Sequence, residues 1–107
     1  NHGYPGELKL MLDELFNEYA HKPVALCGVS SGSVGGARMI ECLHQSLVTF
    51  QMPICKNLPY FSNVKTLFDE HGKITTSEYE KYIHAMCDEL AWYARALTPA
   101  RNADKNK

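Results

Sequence analysis

The residues best suited to chemistry lie in two short loops. One belongs to the stretch Val24 to Arg38, VALCGVSSGSVGGAR, which reads as a short apolar strand, a Ser/Gly-rich turn and the start of a helix. Ser30, Ser31 and Gly32 open that turn. Hydroxyls and free backbone N–H groups there can meet the polar edge of a ligand, because glycine leaves no Cβ in the way. Ligands of parallel α/β sheets settle at the carboxyl ends of the strands, where such a turn sits. The other loop, Asn1-His2-Gly3-Tyr4-Pro5-Gly6, stands before the first helix. Its Asn1 amide supplies both donors and an acceptor. The two loops together predict one side of a cofactor pocket, the other side lying upstream of residue 1.

The commoner signatures are missing from this stretch. The turn does not match G-x-G-x-x-G, Glu41 is too near to serve as a ribose-binding acid, and no G-K-[ST] follows. Gly35 and Gly36 read as a tight turn that lets the helix pack close to the strand. No Ser-His-Asp or Cys-His set can be assembled by spacing, so no catalytic side chain is assigned. Glu41-x-x-His44 copies one arm of a di-iron carboxylate site, but a second Glu-x-x-His is lacking and no metal is expected. His21, His71 and His84 are scattered. Cys27, Cys42, Cys55 and Cys87 form no C-x-x-C and read as buried free thiols of a reducing compartment. Arg38, in the first turn of its helix, has two readings: steering dinucleotide phosphates, or pairing with an acid at a subunit interface.

The elements that position these loops follow from periodicity. Leu8, Met11, Leu12, Leu15, Phe16 and Tyr19 have helical spacing, and His21-Lys22-Pro23 ends that helix. Val24 to Val29 lacks polar alternation, as a strand covered on both faces requires. A second helix is predicted from about Val34 to Phe50, with a stripe of Ile40, Leu43, Leu47 and Phe50. Met52-Pro53-Ile54-Cys55 reads as a second strand. Residues 56–76 read as connection, with a helical turn near Val64 to Phe68 and a turn at His71-Gly72. A last helix begins near Ser77, where Ser77-x-x-Glu80 fits a capping box. Its stripe is Tyr79, Tyr82, Ile83, Met86, Leu90, Tyr93 and Leu97, and Pro99 is expected to stop it, leaving 99–107 as a flexible tail.

Alternating helices and strands imply right-handed crossovers and a parallel sheet. Two strands make a poor sheet for three amphipathic helices, so the chain reads as the second half of a doubly wound α/β domain. With 107 residues, 45% hydrophobic and 21% charged, it has the composition of a soluble globular domain. A net charge of −1 gives no electrostatic case for nucleic acid or an anionic membrane. No apolar run approaches the ~20 residues that span a bilayer.

Three segments carry a family resemblance. Asn1-His2-Gly3-Tyr4-Pro5-Gly6-Glu7-Leu8-Lys9 resembles the end of a P-E-Y-N-x-x-x-P-G-x-L-K motif. Lys22-Pro23-Val24 with Ser30-Ser31-Gly32-Ser33-Val34-Gly35-Gly36-Ala37-Arg38 resembles a G-K-P-V strand and an S-S-x-G-x-x-G-G-A-R loop, one residue shorter than the commonest form. Phe68-Asp69-Glu70-His71-Gly72 resembles an F-D-x-x-G segment. These are motifs of the NAD(P)H-dependent FMN reductases of the flavodoxin-like superfold, which include quinone, azo-dye and chromate reductases.

The resemblance implies a flavodoxin-like three-layer parallel sheet. Residues 1–98 would form the C-terminal half of its flavin-binding domain; the first strand and its phosphate-binding loop are absent from the sequence. It implies FMN as cofactor, NAD(P)H as co-substrate and a small-molecule electron acceptor, served in a ping-pong cycle. It implies a cytoplasmic homodimer or homotetramer. Asn1, His2 and Gly3 would line the flavin ring, Ser30 would contact it, and Ser31 and Gly32 would form the loop around it. His2 reads either as a proton donor to a quinone or azo substrate or as a variable loop residue. The fragment by itself is expected to bind FMN weakly or not at all and to have little activity. Two other classes stay open: a non-enzymatic α/β interaction domain with a structural Gly-rich loop, and a flavodoxin-like electron carrier, disfavoured by the near-neutral charge.

Overall fold

A computed structural model describes residues 1–105. The Pro5 carbonyl accepts the Leu8 and Lys9 amides at 3.1 and 3.4 Å and opens α1, Gly6–Asp13. The helix is shorter than its apolar spacing predicts. The chain leaves helical geometry at Phe16 and makes a single 3-10 turn, Asn17–Tyr19. That break brings the Phe16 and Tyr19 rings edge-on to Phe50, with centroids 5.5 and 5.3 Å apart. Aromatic packing thus overrides helical continuation. Leu12 is buried, whereas Met11, Leu15 and Phe16 remain exposed.

The predicted first strand forms parallel pairs at two places. Val24 bridges Ile54, and β1, Gly28–Val29, pairs with β2, Tyr60–Phe61. Between the two places, four steps along one chain face six along the other. The surplus is a bulge at Lys56 and Asn57. Neither β2 nor the bulge is evident from residues 56–76, which have no apolar periodicity. The described residues form a two-stranded parallel sheet, the two strands and the parallel sense that the alternation predicts; the full three-layer sheet that the resemblance implies is not formed by these residues.

Helix α2, Ala37–Thr49, starts after Gly36, whose left-handed backbone makes the turn from β1. Its predicted stripe is the centre of the core: Ile40, Leu43, Leu47 and Phe50 are all buried. Leu12 of α1 joins the latter three, and Leu8, Val24, Leu26 and Ile54 pack around them. The short α3, Val64–Leu67, follows β2. A turn through Gly72 then bridges Phe68 to Ile74.

Helix α4, Glu78–Lys105, is the longest element. Its first amide donates to Thr76 Oγ1 at 3.3 Å, so the cap hydroxyl comes one residue before the expected Ser77. Pro99 does not stop it. Thr98 Oγ1 donates to the Ala94 carbonyl at 2.7 Å, and Arg101 donates to Thr98 Oγ1 and to the His21 carbonyl. These bonds hold the turns around the lost proline donor. The segment expected as a tail is therefore helical through Lys105, and residues 106–107 lie outside the described residues.

The α4 stripe is only half-buried. Phe61 stacks on Tyr79 at 4.7 Å, but Tyr82 is exposed, as is Trp92 outside the stripe. The Glu89 carboxylate reaches across to the bulge and accepts the Lys56 and Asn57 amides at 2.8 Å and Asn57 Nδ2 at 2.7 Å. Those bonds, the Lys56 amide first, hold the carboxyl below its ordinary value. The total accessible surface is 7549 Å²; a compact monomer of this size exposes roughly 6,000 Å². No described helix is long and apolar enough to cross a membrane.

Candidate active site

Close backbone packing shapes the loop after β1. A Cβ on Gly28 would strike the Gly35 carbonyl, and one on Gly35 would lie 2.8 Å from Tyr60 Cβ. Gly35 also has φ +62°, which a side chain would strain. Gly28 and Gly35 therefore let the turn lie flat on β2; of the two, only Gly35 is expected from the sequence to serve the tight turn. The segment after β2 ties the turn down. The Asn63 amide donates to the Gly32 carbonyl at 2.9 Å and the Val64 amide to the Ser30 carbonyl at 3.1 Å. Sequence reading missed this support. Its one signal is Asn63 itself, a residue type that tolerates the left-handed φ of +50° found there.

Ser30 ends the strand, its amide bound to the Phe61 carbonyl at 3.0 Å. Its Oγ donates to the Gly32 carbonyl at 2.9 Å, which leaves the oxygen's lone pairs as acceptors.

The N-terminal loop comes to the same place. Asn1, His2, Gly3 and Pro5 share a cavity of about 310 Å³ with Val29, Ser30, Val34, Gly36, Arg38 and Met39. Four of the six residues singled out for cofactor contact thus line one cavity. Ser31 and Gly32 do not line it; both are exposed, and the Gly32 carbonyl anchors the turn. Of the remaining liners, Arg38 had been weighed for other partners. Val34 and Met39 had no signal beyond their place in the turn and the first helical turn.

Arg38 has a partner within the chain that neither of its two readings anticipates. Its Nη1 lies 2.7 Å from His2 Nε2. Cys42, one turn further along α2, has its Sγ 3.4 Å from the His2 carbonyl oxygen as a weak donor. His2 itself has φ +60°. Two side chains of α2 thus hold the N-terminal loop in a sparsely populated backbone conformation.

Larger surface furrows, of about 640 and 480 Å³, run beside the first half of α4. Their charged side chains Glu80, Lys81, His84 and Asp88 are exposed.

The four cysteines are free, but only Cys55 is buried, contrary to expectation. Cys27 Sγ lies 3.7 Å from Met86 Sδ. Burial, and then Cys87, push the Cys27 thiol up, while burial and then Glu89 do the same to Cys55. Both thiols are held away from the nucleophilic thiolate form. Among the described residues, no group of three or more His, Cys, Asp or Glu side chains could hold a metal ion.

The cavity fits one end of a flavin better than the whole cofactor. Its volume is at the low end for ligand sites, which run from about 300 Å³ upward. Its lining suits a flat ring with carbonyl and N–H edges: the Asn1 amide, the Ser30 hydroxyl and the apolar Val29, Val34 and Met39. Its one Lys or Arg side chain, Arg38, is engaged with His2.

Comparison with known proteins identifies the family. The sequence profile of a family described as NADPH-dependent FMN reductase matches residues 1–66, a span that contains every residue of the cavity. A quinone reductase of Pseudomonas putida is 31% identical over 102 residues, covering 89% of this chain and 54% of the relative. A second quinone reductase, from Pseudomonas putida strain KT2440, is 30% identical over the same length and shares. The chain thus spans about half the length of the curated relatives it matches.

Proposed function

Because the chain belongs to the NADPH-dependent FMN reductase family, we propose that its cavity holds the ring end of FMN in a reductase that passes electrons from NAD(P)H to a quinone-type acceptor. One observation carries the reading: the loop at residues 1–3 and Ser30 at the end of β1 meet in a single cavity within the family-matched span. The names of the two Pseudomonas relatives support a quinone as acceptor.

Bound FMN would supply the hydride chemistry, and the protein's part is position and electrostatics. Asn1 and the backbone of His2 and Gly3 would border one polar edge of the ring. Ser30 would approach it from the strand end, its Oγ oriented by the Gly32 carbonyl. Ser31 and Gly32 would stiffen the turn rather than touch the ring. Val29, Val34 and Met39 would exclude water from one side. The phosphate end would be held by residues in the part of the relatives' length that this chain does not span. The exposed Met11, Leu15, Phe16 and Trp92 suit burial against further protein, as in a cytoplasmic dimer or tetramer.

Titration with FMN, followed by quenching of its fluorescence, tests the reading. Saturable quenching that weakens about tenfold in Ser30→Ala and in Asn1→Ala is expected, the size of one lost hydrogen bond to a bound ring. Quenching that both variants leave unchanged would place the flavin elsewhere.

A further inference from the structure

The contact between Arg38 and His2 has a chemical consequence for the cavity both residues line. A guanidinium carries only donors. At 2.7 Å from Arg38 Nη1, His2 Nε2 must therefore be the acceptor. A neutral imidazole has one N–H and one bare nitrogen, so its hydrogen is left on Nδ1. The ring is also held in place. Its backbone sits at φ +60° and its carbonyl faces Cys42 Sγ, so two residues of the rigid helix α2 fix the loop that carries it.

We propose that His2 is a ring-binding donor whose tautomer is set by Arg38. His2 Nδ1–H donates to a carbonyl oxygen or bare ring nitrogen of the flavin, and Arg38 is the positioning residue that keeps the hydrogen on Nδ1. This rests on the reading of the cavity as a flavin-ring site. It gives Arg38 a task distinct from phosphate steering, and it gives His2 a hydrogen-bonding role without proton transfer. A hydrogen bond donated to an electron-accepting ring strengthens as negative charge grows on the ring, so the same contact would favour the reduced cofactor.

Long-range proton–nitrogen correlation spectra of the imidazoles test both halves, with His2 assigned from a His2→Asn variant. At about pH 8, where an unperturbed imidazole is neutral, the unliganded chain should show His2 as the Nδ1–H form. Arg38→Met should shift it toward the Nε2–H form that free histidine prefers. FMN should then move the Nδ1 resonance, and flavin fluorescence recorded on the same samples reports whether the cofactor is bound. His2→Phe should weaken FMN by about three- to tenfold, and His2→Asn, which restores a donor and tolerates the positive φ, should bind within about twofold of the parent.

An Nε2–H form in the parent overturns the tautomer assignment. A quenched flavin with an unmoved Nδ1 resonance, or undiminished binding in His2→Phe, overturns the donor role alone. Absence of quenching in the parent overturns the donor role together with the flavin reading. In that case an Nδ1–H signal that Arg38→Met abolishes still establishes the contact, which separates the two failures.

Discussion

The two long helices of this small chain are held by different physics. Helix α2 presents an unbroken apolar stripe to the rest of the molecule, with Ile40, Leu43, Leu47 and Phe50 all buried. Helix α4 is more than twice as long and has no fully buried residue among those described. Polar clamps and edge contacts hold it instead: Glu89 on the bulge, Arg101 on the His21 carbonyl, and Tyr79 on Phe61. The candidate site lies on the well-packed side, where α2 supplies Arg38 and Cys42 to the N-terminal loop. A binding loop needs a rigid neighbour to hold a sparsely populated conformation, and burial gives α2 that rigidity.

Substitutions on the two sides should therefore differ in size. The largest effect is expected at the contact between turn and sheet. Gly28→Ala puts a methyl group into the Gly35 carbonyl, a backbone atom that cannot give way cheaply, and against the side chains of Ile40 and Tyr60. A loss of about 4 kcal/mol is expected by chemical denaturation, with loss of the cavity. A stable, cavity-bearing Gly28→Ala would mean the turn is not held by close packing.

The next effect compares the two helices directly. Leu47→Ala, on the buried stripe of α2, should cost about 3 kcal/mol, and Leu90→Ala on half-buried α4 about 1 kcal/mol. Equal costs would show that α4 is as deeply packed as α2 in solution.

The smallest effect isolates the clamp. Glu89→Gln keeps the shape and removes the charge, and should cost about 1 kcal/mol near neutral pH, a value reduced for solvent screening of this largely open carboxylate. The pH dependence has a definite sign. Folding lowers this carboxyl's value from an ordinary one near 4.5, so its contribution is present above that pH and is lost as pH falls through the lowered value. Stability of the parent should drop on acidification below about 4.5, and the Glu89→Gln drop should be shallower. Parallel curves would remove Glu89 as the clamp.

Much of the packed side is legible in the residues alone. The stripe of α2, the glycine turn after β1 and the meeting of two loops at a strand end all follow from local pattern. Each is a short-range rule: helical period, the freedom of glycine, and the position of ligands at strand ends. Other elements, on both sides, defied such rules. Pro99 reads as a stop, yet Thr98 and Arg101 carry the helix past it. The spacing through Tyr19 reads as one helix, yet Phe50 draws Phe16 and Tyr19 into a 3-10 turn. Strand β2 has two residues and gains its identity only from pairing with Gly28 and Val29.

What the sequence by itself determined is the kind of chain and where a candidate site should be sought: an α/β unit with a Ser/Gly turn and an Asn-led loop, matched to the NADPH-dependent FMN reductase family over residues 1–66. Only the tertiary structure decided which of those residues line one cavity and how they are held. Ser31 and Gly32 lie outside it, the Gly32 carbonyl anchoring the turn, and Arg38 joined His2 across 36 positions of chain. The reason is physical: periodicity and turn propensity act within a few residues. A guanidinium meets an imidazole only after the core has brought their elements together.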